Sequence, residues 1–375
     1  MEHALKQAAE RVHDALARSM PLRLRGGGTK DFYGNSLHGE VLDTTGLSGI
    51  VSYEPSELVI TVGAGTVLAD VEALLAEKGQ CLPFEPPHFT WSGHGRATIG
   101  GMVASGLSGP ARASVGGVRD YVLGLKMING LGQHLTFGGQ VMKNVAGYDV
   151  SRLMVGAMGT LGLLTEVSLK VLPVAPAQAT LRFALTQEQA LEQLHRWGGQ
   201  PLPLNASCWV RDGSQELLFV RLCGAVAAVE AACKTMLLDQ PGQRLEPAQA
   251  QANWDLCRNQ RLPFFTPSPG SDFVLWRLSL PQTAPVLQLP WATLVEWHGG
   301  LRWMWAPRTE AQGVENAARS VGGSAMPFIA PPALSISSNA NLALKNQALS
   351  TVQERLKDSF DPHGIFNPGR WIVGK

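Results

Sequence analysis

The chain has 375 residues, of which 45% are hydrophobic and 16% charged, and its formal net charge is +1. The length predicts two domains with buried cores, and the charge balance argues against nucleic-acid binding. The sequence contains no run of about 18 apolar residues and its first 20 residues are charged throughout, so neither a membrane-spanning helix nor a signal peptide is expected.

The cysteines are scattered along the chain and form no C-x-x-C motif; they are Cys81, Cys208, Cys223, Cys233 and Cys257. This pattern predicts buried thiols in a reducing compartment, and neither disulfides nor a metal site. We therefore expect a cytoplasmic protein.

The N-terminal region predicts a helix followed by a strand, a loop, a second strand and a second helix. Apolar residues recur at helical spacing over 2–18, and short β-rich runs occupy 22–25 and 58–62. Residues 67–78 predict an amphipathic helix that ends at Gly79.

A long loop is predicted over 83–118, where Gly and Pro are dense, and loops of this length in a folded domain are usually functional. A hairpin over 121–137, turning at Asn129-Gly130, precedes a helix over 151–158 and a strand over 163–173. Prolines then indicate a domain boundary near residue 175.

The second half alternates strands with helices and predicts an α+β domain with an antiparallel sheet. The strands are expected at 180–185, 206–211, 216–222 and 273–280, and the helices at 187–197 and 225–238. A last helix is predicted over 345–358.

The first motif is RGGGTK, comprising Arg25, Gly26, Gly27, Gly28, Thr29 and Lys30. Consecutive glycines after a strand let successive N–H groups point into one concavity that suits phosphate oxygens, with a hydroxyl and two cations beside it. The segment lacks the spacing of a Walker A motif. A flexible turn is the alternative interpretation.

The second motif spans 97–125, where glycines at 100, 101, 106, 109, 116 and 117 imply backbone pressed against a flat or charged ligand. Thr98, Ser105 and Arg119 supply polar groups, and the interspersed apolar residues favour this interpretation over a disordered loop. In a third motif, over 143–173, Gly156, Gly159 and Gly162 recur every third residue. That spacing fits either a smooth helix face or a turn whose backbone contacts a ligand.

These motifs, with the C-terminal FDPHGIFNPG at 360–369, resemble the FAD-binding domain of the vanillyl-alcohol oxidase superfamily, also called the p-cresol methylhydroxylase (PCMH) type. The resemblance covers 20–173 and 355–370. It implies an α+β protein with a two-subdomain PCMH-type FAD-binding domain over 1–175. A smaller α+β cap domain with an antiparallel sheet would occupy 176–340, and a C-terminal segment, 341–375, would return to the FAD domain.

The resemblance also implies which residues hold FAD. The RGGGTK residues would contact the pyrophosphate, and the remaining FAD contacts would come from Thr98, Ile99, Gly100, Gly101, Ser105, Gly106, Arg119, Gly159, Thr160, Gly162 and Leu163. Some family members attach FAD through a histidine of the first loop. The RGGGTK loop has no histidine, so the FAD is expected to be non-covalent.

The 2-hydroxy-acid dehydrogenases of this superfamily carry H-x-G-D-G-N-x-H and E-H-G motifs that bind a metal and the substrate, and this sequence has neither. The first motif is replaced by EWHGGLRWMW (296–305), and the second by MPFIAPPALSI (326–336). No catalytic residue or metal ligand is therefore assigned. A sequence that has the FAD motifs and lacks the metal motif resembles the FAD-binding E subunits of bacterial three-part glycolate oxidases.

That resemblance implies two partners, a sibling FAD-containing catalytic subunit and an iron–sulfur subunit, and a small 2-hydroxy acid as substrate. Membrane association at the inner membrane would then be indirect, through the complex. Two alternatives stay open. One is a stand-alone FAD-dependent dehydrogenase of the D-lactate type that uses His298, Arg302 and Lys143. The other is a non-redox scaffold that has lost FAD.

Trp297, Trp303 and Trp305 are predicted to lie on one face of a single strand. That face is either packed on the protein's own core or a docking surface for a partner.

Overall fold

The computed structural model describes residues 1–35, 38–92, 95–139, 149–266, 268–329 and 347–370. The chain divides into two compact units. Unit 1 consists of Met1–Leu107, Gly117–Pro173 and, in the C-terminal region, 347–370; unit 2 consists of Ser108–Gly116 and 174–329. The domain boundary predicted at 340 lies outside the described residues.

The helices are α1 (Glu2–Arg18), α2 (Leu68–Ala76), α3 (Ile99–Ser105), α4 (Arg112–Val115), α5 (Val118–Tyr121), α6 (Val150–Leu153), α7 (Gln187–Gly198), α8 (Val226–Asp239), α9 (Pro247–Arg258), α10 (Ala311–Ser320) and α11 (Gln347–Phe360). None of the helices in the described ranges is long and apolar enough to cross a membrane.

The strands of unit 1 are β1 (Leu22–Arg25), β2 (Glu40–Asp43), β3 (Ile50–Glu54), β4 (Val59–Gly63), β5 (Gln80–Cys81), β6 (Val122–Ile128), β7 (His134–Gly138), β8 (Leu163–Lys170) and β9 (Leu172–Pro173). Those of unit 2 are β10 (Ala177–Ala184), β11 (Leu204–Asp212), β12 (Gln215–Gly224), β13 (Gly242–Arg244), β14 (Phe273–Ser279), β15 (Thr293–Glu296), β16 (Leu301–Pro307) and β17 (Ser324–Ile329).

Unit 1 contains a five-stranded antiparallel sheet in the order β3-β4-β8-β6-β7. Strand β4 is rich in β-branched residues and is buried throughout, which suits an interior strand. Ile60 and Val62 of β4 join a core that includes Leu68 of α2 and Ile99 of α3. The two helices that flank the glycine motifs are therefore anchored on this sheet.

A smaller layer of unit 1 pairs β1 and β2 in parallel and packs them with α1. Helix α1 buries Ala8, Val12 and Ala15, which are spaced by one helical turn. The C-terminal segment joins the same core through Ile365 and Phe366. It lies beside β1 because the Leu22 N–H donates to the Ile365 carbonyl at 2.6 Å.

Unit 2 is built on an eight-stranded antiparallel sheet in the order β13-β10-β12-β11-β15-β16-β14-β17. One face of β10 and β12 packs against α7 and α8 through residues such as Phe183, Val220, Trp197 and Met236. This antiparallel sheet with helices is the α+β architecture expected for the cap domain.

Three predicted elements need correction. The loop predicted over 83–118 contains α3, α4 and the start of α5, because its apolar residues pack as short helical turns between the glycines. The helix predicted over 151–158 shortens to α6, and Gly156 and Met158 adopt positive φ values of 83° and 53° that a right-handed helix through 158 could not contain.

The single strand predicted over 296–305 is interrupted by a 3₁₀ turn at Trp297–Gly299. Trp297 lies in that turn, whereas Trp303 and Trp305 lie on β16 and are buried. The Trp303 ring packs edge-on against Phe265 and Phe328. These tryptophans are thus core residues of unit 2, and the docking-face alternative is not supported.

Candidate functional site

The three glycine motifs meet within unit 1 around two adjoining cavities of about 80 and 70 Å³. The RGGGTK loop leaves the end of β1, the second motif enters α3, and the turn at 158–162 leads into β8. The two cavities share lining residues from each motif, among them Arg25, Gly101 and Met158. Segments far apart in the sequence therefore form one continuous concave surface.

Most of the residues predicted to hold FAD line this surface. They are Arg25, Gly26, Gly27, Gly28, Thr29, Lys30, Thr98, Gly100, Gly101, Ser105, Gly159, Gly162 and Leu163. Ile99, Gly106, Arg119 and Thr160 line neither cavity. Ile99 is a core residue, and Arg119 is exposed on α5. The contacts of all these residues with FAD stay a prediction.

Gly27 and Gly95 cross each other with no space for a side chain. A Cβ at Gly27 would lie 1.7 Å from the carbonyl oxygen of Arg96, and one at Gly95 would lie 1.7 Å from the Gly27 carbonyl oxygen. Only glycine permits so close an approach of two backbones. Next to this crossing, Thr98 caps α3, because its Oγ1 accepts a hydrogen bond from the Gly101 N–H at 3.2 Å.

The charged groups that line the cavity at the RGGGTK loop are mostly positive. Arg25, Lys30 and Arg370 contribute cations, and Asp31 contributes the one carboxylate among the lining residues that the structure describes. Asp31 is itself held by the Nε of Arg25 at 2.8 Å and by Arg23 at 2.6 Å. The excess of positive charge suits a pyrophosphate dianion.

Two lining residues that the sequence analysis did not assign come from the C-terminal segment. The Asn367 Oδ1 accepts from the Leu24 N–H at 2.8 Å, and its Nδ2 donates to the Met158 carbonyl at 2.7 Å. One side chain thus ties β1 to the turn before β8. The FNPG motif could have indicated Asn367, since an Asn beside a turn can bond two backbone groups.

Arg370 is buried and donates to the carbonyls of Lys30, Asp31 and Asn35, at 2.9, 3.2 and 2.8 Å. Burial lowers the pKa of Arg370 to about 10, so it is still protonated at neutral pH. Its guanidinium therefore fixes the path of the chain after Thr29 and adds a positive charge to the cavity.

The C-terminal segment is itself held by Lys357 and Asp361. The Asp361 carboxylate accepts from the N–H groups of Ile365 and Phe366, at 3.1 and 2.8 Å, and from Lys357. Lys357 also donates to the Thr160 carbonyl at 2.7 Å. Burial lowers the pKa of Lys357, and its hydrogen bond to Asp361 opposes that shift.

Unit 2 contains two of the three residues named for the stand-alone alternative; Lys143 lies outside the described residues. Arg302 is buried, and it donates to the carbonyls of Ala284 and Pro285 at 2.5 and 2.6 Å. Burial lowers the pKa of Arg302 to about 10. Its guanidinium therefore holds a backbone segment of unit 2.

His298 lies at the tip of the β15–β16 connection with φ 56°, between Trp297 at 53° and Gly299 at 102°. Two consecutive non-glycine residues in this conformation are strained and must be held by their surroundings. The His298 N–H donates to Ser207 Oγ at 2.9 Å, and its Nε2 is hydrogen bonded to Ser114 Oγ at 3.1 Å. Its Nδ1 is buried and has no partner among the described residues.

The turn at 297–299 also fixes the segment 108–116. The Trp297 indole donates to the Gly109 carbonyl at 3.0 Å, and the guanidinium of Arg112 lies over its ring at 4.6 Å from the centroid. Segment 108–116, which lies within the second glycine motif, is therefore held by its contacts within unit 2.

Comparison with known proteins agrees with this geometry. The family described as "FAD binding domain" matches residues 3–138. The chain is 42% identical to glycolate oxidase subunit GlcE of Escherichia coli (strain K12), over 96% of this chain and 95% of the relative. The chain belongs to the GlcE family.

More distant relatives match part of the chain. Glycolate oxidase subunit GlcD of Bacillus subtilis is 34% identical over 43% of this chain and 34% of its own length, and D-lactate dehydrogenase of Anaerostipes hadrus is 31% identical over 38% and 29%. The fold is shared with alkyldihydroxyacetonephosphate synthase, at a TM-score of 0.65 and 17% identity, over 97% of this chain and 75% of that chain. The predicted PCMH-type α+β fold is confirmed.

FAD is thus the cofactor of this GlcE-family chain, which is an FAD-dependent oxidoreductase. The residues at the glycine motifs fit the group. The cationic lining would suit the pyrophosphate, and a Cβ at Gly101 would meet nothing closer than Thr98 Oγ1 at 3.1 Å, so its missing side chain leaves room for a ligand.

A charge placed in the cavities should prevent FAD retention. Ala104 of α3 lines both cavities. Glutamate, like alanine, has a high helix propensity, so the substitution should preserve α3. We expect Ala104→Glu to weaken FAD binding at least tenfold, or about 1.4 kcal/mol, because its carboxylate repels the pyrophosphate. Flavin absorbance per chain after gel filtration, with FAD titration of the apoprotein, measures this.

Ala228→Glu, at an exposed position of α8, is the matched control and should leave FAD binding unchanged. Equal FAD affinity in Ala104→Glu and the parent would place the FAD elsewhere. Substitutions of Gly27 or Gly100 test the site less well, because their added Cβ atoms would collide with Arg96 and Ala64.

Stability should fall at acid pH because of His298. Burial lowers the pKa of His298 to about 4, from 6.5. Below pH 6.5 the unfolded chain takes up a proton that the folded chain refuses, so the free energy of unfolding falls with pH until about pH 4. From pH 7 to pH 5 the loss from this residue should be about 2 kcal/mol.

His298→Asn removes this titration and keeps a residue that tolerates positive φ. Urea unfolding at pH 7 and pH 5 should show the parent losing about 2 kcal/mol more than the variant. An identical pH dependence in both proteins would mean that the imidazole of His298 is not desolvated.

Proposed function

We propose that this chain is the FAD-binding subunit of a multi-subunit glycolate oxidase and takes part in the oxidation of glycolate to glyoxylate. The near full-length similarity to E. coli GlcE is the observation that carries the proposal. FAD, when bound, supplies the acceptor for the two electrons of a 2-hydroxy acid. The chain's own contribution is to hold the pyrophosphate with the RGGGTK loop and Arg370.

We further propose that the FAD is non-covalent and that the residues lining the two cavities bind it. The absence of histidine from the RGGGTK loop supports the first point. The excess of positive charge and the glycine backbone around the cavities support the second.

The proposed assembly is heteromeric, with a GlcD-type FAD-containing catalytic subunit and an iron–sulfur subunit. Its support is that the relatives in E. coli and B. subtilis are both named as subunits of glycolate oxidase. The missing metal motif of the sequence supports a division of labour in which a sibling subunit binds the substrate. Such a complex would reside in the cytoplasm or on the inner membrane through its partners.

The stand-alone dehydrogenase is the second candidate, and His298 is the observation that favours it. The buried Nδ1 of His298 has no partner among the described residues, so a substrate group could hydrogen bond to it, although a pKa of about 4 makes the imidazole a weak base. Against it, Arg302 is occupied by backbone carbonyls and is not available to neutralise a substrate carboxylate.

Anaerobic addition of glycolate distinguishes these functions. The purified FAD-loaded chain should keep its flavin absorbance with glycolate or D-lactate, because it lacks the substrate-binding motifs. The co-purified three-subunit complex should bleach with glycolate. Bleaching of the isolated chain would support the stand-alone enzyme, and a colourless chain that takes up no FAD would support the scaffold.

A further inference from the structure

Unit 2 contains a cavity of about 580 Å³ that the proposed function does not use. Its sheet side is formed by alternate residues of three neighbouring strands, among them Thr180 and Arg182 of β10, Val210 of β11, and Leu217 and Phe219 of β12. Their sequence neighbours Leu181 and Phe183 point to the opposite face, which α7 and α8 cover. No lining residue of this cavity lines the two cavities at the glycine motifs.

The outer wall is supplied by α9 and residues 262–264, where the side chain of Trp254 and the backbone of Phe264 are held in place. Trp254 is buried, and its indole donates to Thr180 Oγ1 at 3.0 Å while the Arg221 guanidinium lies over its ring. Residue 264 is fixed because the Trp305 indole donates to its carbonyl at 2.9 Å. The cavity thus has preformed aromatic walls and a volume typical of small-molecule sites.

The buried side chains of Cys208 and Cys257 also line the cavity. A hydrogen bond with Cys208 and burial raise the pKa of Cys257 well above its ordinary value. Its Sγ donates to the Glu296 carboxylate at 3.2 Å, and that carboxylate also accepts from the Trp303 indole at 2.7 Å. The buried part of the cavity therefore offers uncharged surface to an occupant.

The charged lining residues are Arg182, Arg211 and Asp212. Arg211 pairs with Glu216. Arg182 is half-buried, and its guanidinium donates to the amide oxygen of Gln243, at 3.1 Å from Nε and 2.6 Å from Nη2. It has no carboxylate partner among the described residues. Asp212 is exposed, whereas the half-buried guanidinium of Arg182 lies beside the apolar part of the cavity and offers a positive charge to an anionic group.

We propose that this cavity binds a small organic carboxylate with an apolar body, which lies against Trp254, Phe219 and Phe264 while its carboxylate pairs with Arg182. A cavity of this size between a sheet and a helix exposes its apolar walls to water, which is unfavourable. A ligand with an apolar body would cover those walls. The ligand is larger and more apolar than glycolate, so the site is one for an additional molecule and not for the substrate.

Calorimetric titration of the FAD-loaded chain with octanoate, phenylacetate and indole-3-acetate tests the proposal, with octanol and 2-phenylethanol as uncharged matches. At least one carboxylate should bind at least tenfold more tightly than its alcohol. Arg182→Gln should remove that advantage. Arg244→Gln changes an exposed arginine of β13 that pairs with Glu230, and it should leave binding unchanged.

Val210→Trp is the second variant, and it should block every ligand by filling the cavity from β11 while Arg182 is retained. Flavin absorbance of both variants should equal that of the parent, which separates this site from FAD binding. Absence of binding by all three carboxylates overturns the proposal. Equal binding of carboxylates and alcohols, or unchanged binding in Val210→Trp, overturns it as well.

Discussion

The hydrogen bonds that the C-terminal segment makes to β1, to the RGGGTK loop and to the turn before β8 are the constraint on which the proposed FAD site depends. Asn367 joins β1 to the turn before β8, and Arg370 holds the backbone after Thr29. These contacts add to the turns of the RGGGTK loop itself, to the pairing of Asp31 with two arginines, and to the contact of Lys30 with the Phe89 ring. A glycine-rich loop loses much conformational entropy on ordering, so an external clamp is needed to preform it.

The same contacts create the electrostatics of the site. Arg370 is buried among carbonyl oxygens and still carries its charge at neutral pH, so it places a cation beside the loop. The backbones at Gly27 and Gly95 cross in direct contact, which brings the RGGGTK loop next to the residues just before the second motif. Positive charge, exposed backbone and absent side chains together provide what a pyrophosphate requires. Membership of the GlcE family shows that the cofactor is FAD, and its binding at this surface is our proposal.

Much of the fold could be predicted from local patterns in the sequence. The helix at Glu2–Arg18, the strand at Leu22–Arg25 and the antiparallel sheet of unit 2 follow from periodicity and β-rich runs. The short helices α3 to α5 could not, because glycines and prolines obscure any period over so few residues. The break in the strand at Trp297–Gly299 depends on contacts with Ser207 and Gly109, which are distant in sequence.

At the candidate site, the sequence motifs indicated the glycines. They did not show that side chains of the C-terminal segment hold the backbone on either side of these glycines. Asn367 and Arg370 lie about 340 residues after the loop that they bind, a separation that no local pattern reveals. Arg119 was assigned by the resemblance, yet it is exposed on α5 and lines neither cavity. The sequence named His298 and Arg302 as residues that a stand-alone enzyme would use. Their hydrogen bonds show that His298 lies in a strained turn and that Arg302 donates to the carbonyl of Gly299 in that turn.

The most direct measurement is the flavin content of the purified chain before and after acid precipitation. The chain should carry one FAD, and all of that flavin should appear in the supernatant, because the pyrophosphate is held by backbone and cations and not by a covalent bond. A chain that binds no FAD when supplied with excess cofactor, or flavin that stays in the protein pellet, would contradict this account.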